Sequence, residues 1–487
     1  MAGARLQKSD NSSVAGKLPH LPAANQRVVF ALAWPIIISN ISVPLLGLVD
    51  TAILGHLNDV TPMAAVAIGS QLFTLLLWSF GFLRMGTTAI TAQRVGAHGL
   101  PGSLPALHLA LASWLPVTLI CSLLAWTLTP WLLPLFGDDG RVQAMAGDYL
   151  QIRYLGIPLT LLQYSLVGWF IGRGETRVPM LMLLVANALN ALCNYVFAWH
   201  LGWGAQGIAL GSVIAEAVAV LLALYFAHQR GLTRNALHCL TPSWLHRMRR
   251  EMRQMLHING DLFIRTLVLL MVFAIFTALG AQQGPAVLAS NAVLITLLML
   301  ISNALDGFAH AAESLCGRYL GTLAYLNQTH LNQAHSDQTH TNQMRSHHAP
   351  QVMAQLHRAM RLTALNSAVV ALLMSGLFAV ANPALFALLT DHPAVIPLLD
   401  QLAPWLIALP LTGVASYWLD GIMIAAQRTR AMRNSMLMAA LLIFSPLAAL
   451  AVVSANNGLL WLAFHAFLLA RAAFLLPTLR RVILQGQ

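Results

Sequence analysis

Along residues 28 to 479 the chain alternates long apolar runs with short polar, Gly- and Pro-bearing segments. The runs are about as long as a helix needs to cross ~30 Å of hydrocarbon, roughly 20 residues. They predict twelve transmembrane helices, over 28–54, 62–93, 104–135, 143–172, 178–200, 205–228, 254–280, 285–317, 359–381, 395–426, 431–453 and 458–479. Several are long enough to tilt or to protrude from the bilayer. No alternating polar and apolar stretch reads as a strand, so the fold class is all-α.

The pattern repeats. A shift of 225 residues lays Leu54-Gly55 on Leu279-Gly280, Ala64 on Ala289, and Gln93-x-x-Gly96 on Arg318-x-x-Gly321. A shift of 253 lays Gly168 on Gly421 and Thr176-Arg177 on Thr429-Arg430. A polar insertion near residues 322 to 350 accounts for the change of shift. Internal duplication of this kind is a hallmark of transporter architecture, and an even number of helices gives both copies the same orientation. The expected organisation is a tail (1–27), a six-helix lobe (28–229), a linker (230–253) and a second six-helix lobe (254–480). Two parallel, pseudo-symmetric lobes would then enclose a central cavity.

Composition sharpens this picture. The chain is 58% hydrophobic and 9% charged, too apolar for a soluble fold. Its net charge of +11 would suggest nucleic acid in a soluble protein, but here the basic residues are segregated. Nearly all Lys and Arg lie in the tails and even-numbered loops or at the span ends beside them. Arg84, Arg153, Arg265 and Arg471 lie within spans, and Arg141 in an odd-numbered loop. The positive-inside rule then places both termini in the cytoplasm of a bacterial inner membrane, with lipid rather than nucleic acid as the partner. Residues 1 to 26 lack the apolar core of a signal peptide, so the first span is expected to be an uncleaved anchor. Cys121, Cys193, Cys239 and Cys316 form no CxxC pair, and neither a disulfide framework nor a zinc site is expected.

The insertion carries His330, His335 and His340 at a period of five, but its Asn/Gln-rich, Cys-free composition predicts a disordered cytoplasmic loop rather than a metal site. In the linker, Arg247, Arg249, Arg250 and Arg253 beside Trp244, Leu245, Met248 and Met252 predict an interfacial helix on anionic headgroups.

An ionisable group within a span is costly unless paired, hydrated or neutralised, which makes each one a functional candidate. Asp50 lies downstream of Pro35 and Pro44, either of which can bend the first helix. It is the leading candidate for proton loading and release, and a cationic substrate would compete for it. Asp261 and Arg265, four residues apart, either neutralise each other or couple an ion. Asp306 and Asp420 each precede a glycine, where local unwinding would let them line the cavity. Glu313, seven residues past Asp306, shares its face; Glu216 shows no evident partner. Asn187, Asn190 and Asn194 form a polar stripe that is either packing glue or a hydrating face for Asp50. Arg84 is expected to snorkel towards the cytoplasm. Trp78, Tyr164, Trp169 and Trp418 can line a site for flat cations or anchor at the interface. The mid-span charges read as mostly acidic. No HExxH, Walker A, GxSxG or dinucleotide fingerprint is present, so no enzyme chemistry and no direct use of ATP are expected.

The segment Pro44-Leu45-Leu46-Gly47-Leu48-Val49-Asp50-Thr51-Ala52-Ile53-Leu54-Gly55-His56-Leu57 resembles the first helix of the multidrug and toxic compound extrusion (MATE) family, in its DinF branch. Leu83-Arg84-Met85 leading to Thr91-Ala92-Gln93, Ala304 to Ala309, and Leu419-Asp420-Gly421 leading to Met432–Met436 agree with that branch. The resemblance implies antiport of cationic or amphipathic organic compounds against protons or sodium, by rocking of two lobes. No cofactor beyond the coupling ion and no obligate protein partner are implied. Asp50 would be the coupling carboxylate, supported by Asn187, Asn190 and Asn194, with Asp261, Asp306, Glu313 and Asp420 as substrate- or cation-binding groups. Asn194 stands where relatives often carry an Asp, which removes the usual acidic neighbour of Asp50. Arg318 and the His-rich insertion also depart from the family pattern. The rival reading is a lipid-linked oligosaccharide flippase on a related two-lobed plan, which a cavity rich in basic residues would favour.

Overall fold

The structure, a computed structural model, describes residues 21–55, 61–136, 139–232, 242–332, 338–390 and 392–484; of 43–55, 136, 199, 242–248, 329–332 and 338–347 it describes the backbone alone. The described residues build twelve helical segments, of which ten are long and apolar enough to cross a membrane, a bent pair makes an eleventh, and the first is apolar over Gln26–Ser42. These are α1 (Gln26–Gly55), α2 (Thr61–Ser79 continued by Phe82–His98), α3 (Ser103–Leu132), α4 (Gly140–Tyr154 and Ile157–Gly172), α5 (Arg177–Asn194, extended by a π turn Tyr195–His200) and α6 (Gly204–Gln229). The second half supplies α7 (Pro242–Gln282), α8 (Pro285–Asn332), α9 (Gln338–Leu389), α10 (Ile396–Ala425), α11 (Thr429–Met438, a π turn Ala439–Phe444, then Ser445–Val453) and α12 (Asn457–Leu484). Each overlaps a span read from the sequence, and α7, α8 and α9 run well beyond theirs. The two pieces of α4 meet at 49°. Large apolar side chains such as Val380 and Val453 are more than four-fifths exposed, as befits a surface solvated by lipid.

Two sequence expectations change here. The polar insertion is not a disordered loop where it is described: helix runs through 322–332 and again through 338–350. Apolar residues continue beyond the membrane stretch at helical spacing, and Leu323, Leu326, Val352, Met353 and Leu356 are buried, which extends both helices. The side chains of His330, His335 and His340 lie outside the described residues. The basic linker is not a separate interfacial helix either, because Pro242 to Gln282 is one unbroken helix and residues 242 to 253 form its first turns.

Both halves use the same packing plan. α2 packs on α4 as α8 does on α10, α1 on α5 as α7 does on α11, and α5 on α6 as α11 does on α12. Between the halves α2 crosses α8, and α1 also lies against α8. In lipid the drive to bury apolar surface is absent, so helices associate through close backbone approach and polar contacts. The repeat motifs supply that approach. A Cβ on Gly96 would strike the carbonyl of Arg318, and one on Gly321 would strike the carbonyl of Gln93, so the two copies of the motif grip each other reciprocally. Thr322 donates to the Gly96 carbonyl at 2.6 Å and Gln93 Nε2 to that of Ala425 at 2.7 Å. Within the halves, Gly168 lies on the carbonyl of Arg84 and Gly421 on that of Ala309. These are equivalent contacts under the two sequence shifts.

Gly168→Leu and Gly421→Leu are therefore expected to lower stability by similar amounts, about 1–3 kcal/mol each from overpacking. Gly376→Leu, where an added side chain meets nothing within 4 Å, is expected to leave it nearly unchanged. Thermal unfolding of the detergent-solubilised protein measures all three, and a large loss at Gly168 alone would contradict the duplicated packing.

Candidate functional site

A cavity of about 350 Å³ lies between the halves, walled by α2 and α4 from the first and by α7, α8, α10 and α12 from the second. α2 is interrupted at Phe80-Gly81, and its second piece opens with Arg84 facing this space. From α8 come Asp306, His310 and Glu313, whose spacings of four and three put them on one face. Arg265 of α7, Asp420 of α10 and Arg471 of α12 close the other end. Trp78, Tyr164, Phe273 and Phe464 give apolar and aromatic wall, and Ser302 and Tyr417 meet through their hydroxyls at 2.5 Å.

The charges are organised into clusters. Asp420 Oδ2 accepts from Arg471 Nη2 at 2.7 Å and also from Arg265 Nη2, so one carboxylate holds two guanidinium groups. Arg84 Nη1 lies 3.2 Å from His310 Nδ1 and 3.8 Å from Glu313 Oε2, while His310 lies 3.2 Å from Glu313 Oε1. This second cluster joins the two halves. Outside the cavity, Arg153 donates to Glu216 at 2.8 Å with its guanidinium over the Phe73 ring. Each of the four arginines within the spans thus meets a carboxylate. That is the form in which buried charge is tolerable, since an ion stripped of water costs several kcal/mol unless its partner is in place.

Several expectations are revised by this geometry. Asp261 and Arg265 do not neutralise each other, although they are one helical turn apart. Asp261 is taken by Arg433 at 2.7 Å and by Thr429 at 2.9 Å, near the basic end of α7 and away from the cavity, while Arg265 reaches across to α10. Asp420 lines the cavity without unwinding, because α10 runs unbroken and Gly421 serves close approach to α8. Gly307 likewise lets α8 press on Ala33 and Ile37 of α1. Glu216 has a partner after all, in Arg153. Arg84 does not snorkel; it turns into the cavity. The mid-span charge is balanced rather than acidic, with three arginines facing three carboxylates. Trp78 and Tyr164 are on the cavity wall, whereas Trp169 is fully buried on the Ser103 carbonyl and Trp418 donates to Thr363.

Asp306 differs from the rest. Among the described residues it makes no ion pair or hydrogen bond, yet it stands on the cavity wall between the two clusters. Asn187, Asn190 and Asn194 work as helix glue: Asn187 donates to Ser42 of α1 at 2.7 Å, Asn190 to Ser212 of α6 at 2.8 Å, and Asn194 to Asn190 at 2.7 Å. The side chains of Asp50 and Pro44 lie outside the described residues. Pro35 is buried within α1; lacking an N–H, it leaves the carbonyl of Ala31 without its helical donor, and Thr176 approaches that oxygen at 3.4 Å. His310 is not among the residues the sequence singles out, and Arg471 is noted there only as lying within a span. An arginine placed deep within a span is itself the signal, because it demands a carboxylate nearby.

The MatE family model matches residues 35–196. The chain is 34% identical to the DNA damage-inducible protein F of Escherichia coli K12 over 94% of its own length and 93% of that protein's. It is 29% identical to a probable multidrug resistance protein NorM of Acinetobacter baylyi, over 39% of this chain and 42% of that one. In fold it resembles the crystal structure of the Vibrio cholerae MATE transporter VcmN in its bent form, with a TM-score of 0.76 at 19% identity, covering 95% of this chain and 97% of that one.

Breaking the buried pair from one side is expected to cost about 3–5 kcal/mol in Arg153→Met, and the double change Arg153→Met/Glu216→Leu to recover most of it. Thermal unfolding of the two single variants and the double variant measures the coupling. Additive losses would mean that the two side chains do not depend on one another.

Proposed function

We propose that this chain, which belongs to the MATE family of multidrug and toxin extrusion transporters, exports small amphipathic organic compounds in exchange for protons or sodium. It is a multi-pass membrane transporter and not an enzyme. The observation that carries the antiport reading is Asp306, a carboxylate on the wall of the inter-half cavity with no ionic partner among the described residues. A carboxylate that feels the charges of Arg84, His310 and Arg265 but is bonded to none of them can exchange a proton, a sodium ion or a substrate cation as access alternates. Asp50 is the corresponding coupling group of the first half, carried by α1. That helix packs directly on the cavity helix α8 and is hydrogen-bonded to the Asn stripe through Ser42.

The balanced lining bears on the cargo. Permanent cations find Asp306 and the aromatic wall; acidic groups find Arg265 and Arg471, which share one carboxylate and leave one positive charge over. Amphipathic compounds of either sign, and zwitterions, suit such a lining better than cations alone. A pyrophosphate-linked flippase cargo would call for a strongly basic cavity, whereas three arginines here face three carboxylates. The basic face, with both termini, is assigned to the cytoplasmic side of a bacterial inner membrane, on the positive-inside rule.

In proteoliposomes carrying imposed pH or sodium gradients, Asp306→Asn and Asp50→Asn are each expected to slow efflux of an amphipathic dye at least about tenfold, a barrier increase of about 1.4 kcal/mol. Glu216→Gln, outside the cavity, is expected to retain efflux to within about twofold if it folds. Wild-type efflux in Asp306→Asn would remove the proposed coupling role. Loss with Asp50→Asn alone would confine coupling to the first half.

A further inference from the structure

A second cavity, of about 640 Å³, opens where the basic ends of α7, α11 and α12 converge. Its charged lining is one-sided: Arg250, Arg253 and His257 from α7, Arg428 and Arg430 at the start of α11, and Arg481 from α12. The one carboxylate among its lining residues, Asp261, is consumed by Arg433 and Thr429. Glu251, on the same turns of α7, is drawn away to Arg94 of α2 at 2.6 Å. Arg250, Arg253, Arg430 and Arg481 make no ion pair or hydrogen bond with other described residues. The first turn of α11, Thr429 to Ala431, lines the same space, so the positive end of its helix dipole adds to the field.

We propose that this pocket is a binding site for the headgroup of an anionic phospholipid, best a headgroup with two phosphates. Guanidinium groups bind phosphate oxygens in a paired, planar fashion, and several converging on one concave site call for more than one phosphate charge. Lipid is favoured over a soluble phosphate by position. The pocket lies at the basic ends of three helices of spanning length, and Leu256 of α7 and Leu476 of α12, within two residues of lining positions, are about half exposed. They offer apolar surface for acyl chains beside the charged recess. Basic pockets between transmembrane helices on the cytoplasmic side are a general setting for such headgroups. The bound lipid ties together the ends of α7, α11 and α12 and supplies the counter-charge that the protein lacks there.

The test uses the full chain in nanodiscs of phosphatidylcholine, alone or doped with phosphatidylglycerol or cardiolipin at equal phosphate, read by native mass spectrometry and thermal unfolding. The expected result is one cardiolipin retained per chain and a raised melting temperature, with a smaller shift for phosphatidylglycerol. Arg253→Gln/Arg430→Gln/Arg481→Gln is expected to lower cardiolipin retention about tenfold. Arg358→Gln/Arg361→Gln/Arg480→Gln, basic positions that do not line the pocket, is expected to keep it. Equal retention in both triple variants would overturn the proposal. So would equal stabilisation of the wild type by cardiolipin and by phosphatidylcholine, a comparison that needs no variant. Stabilisation by inorganic pyrophosphate in pure phosphatidylcholine, to the same extent as by cardiolipin, would also overturn it by making the site one for soluble phosphate.

Discussion

A charge inside a bilayer must find its opposite, and much of this structure is arranged around that demand. Arg153 and Glu216 fasten α4 to α6, Arg265 and Arg471 converge on Asp420 and fasten α7 and α12 to α10, and Arg84 reaches from α2 to His310 and Glu313 on α8. The first two clusters lie within single halves. The third crosses between them, so the contact that neutralises Arg84 also binds the halves together across the cavity. Any separation of the halves there would have to expose or re-partner these groups.

Backbone proximity does the rest. The glycine contacts at Gly96, Gly168, Gly321 and Gly421 bring carbonyls within reach of neighbouring helices. Because they occur in equivalent pairs, the two halves meet through copies of one motif. α2 and α8 cross tightly at Gly96 and Gly321, and the cavity lies farther along α2, beside its break. Asp306 lies between the Arg84 cluster and the Asp420 cluster, so its surroundings change whenever either rearranges.

Much of the architecture was legible in the sequence. The apolar runs mark twelve spans that each overlap an observed helix, short of the full length of α7, α8 and α9, and the shifts of 225 and 253 residues locate the glycine motifs that pack together in space. Partner choice was not legible. Asp261 and Arg265 are neighbours along one helix, yet each is paired across helices, with Arg433 and with Asp420, because tertiary approach overrides a one-turn spacing in which long side chains must bend to meet. The glycines after Asp306 and Asp420 read in the sequence as points of unwinding, and only the positions of Ile37 and Ala309 show that they serve close packing instead. The polar insertion misled for a simpler reason. Its Asn, Gln and His residues mask an apolar periodicity, continued in Leu323, Leu326, Val352 and Met353, that suffices to carry helix past the membrane.

The most direct measurement of the central claim, that Asp306, which forms no direct ion pair among the described residues, is the group through which ion and substrate compete, is infrared difference spectroscopy of the reconstituted protein as pH, sodium and an amphipathic substrate are varied. A carboxyl band that responds to ion and substrate in the wild type and is missing from the difference spectrum of Asp306→Asn is the predicted result. An unchanged band in Asp306→Asn would contradict the account and return the coupling role to another carboxylate.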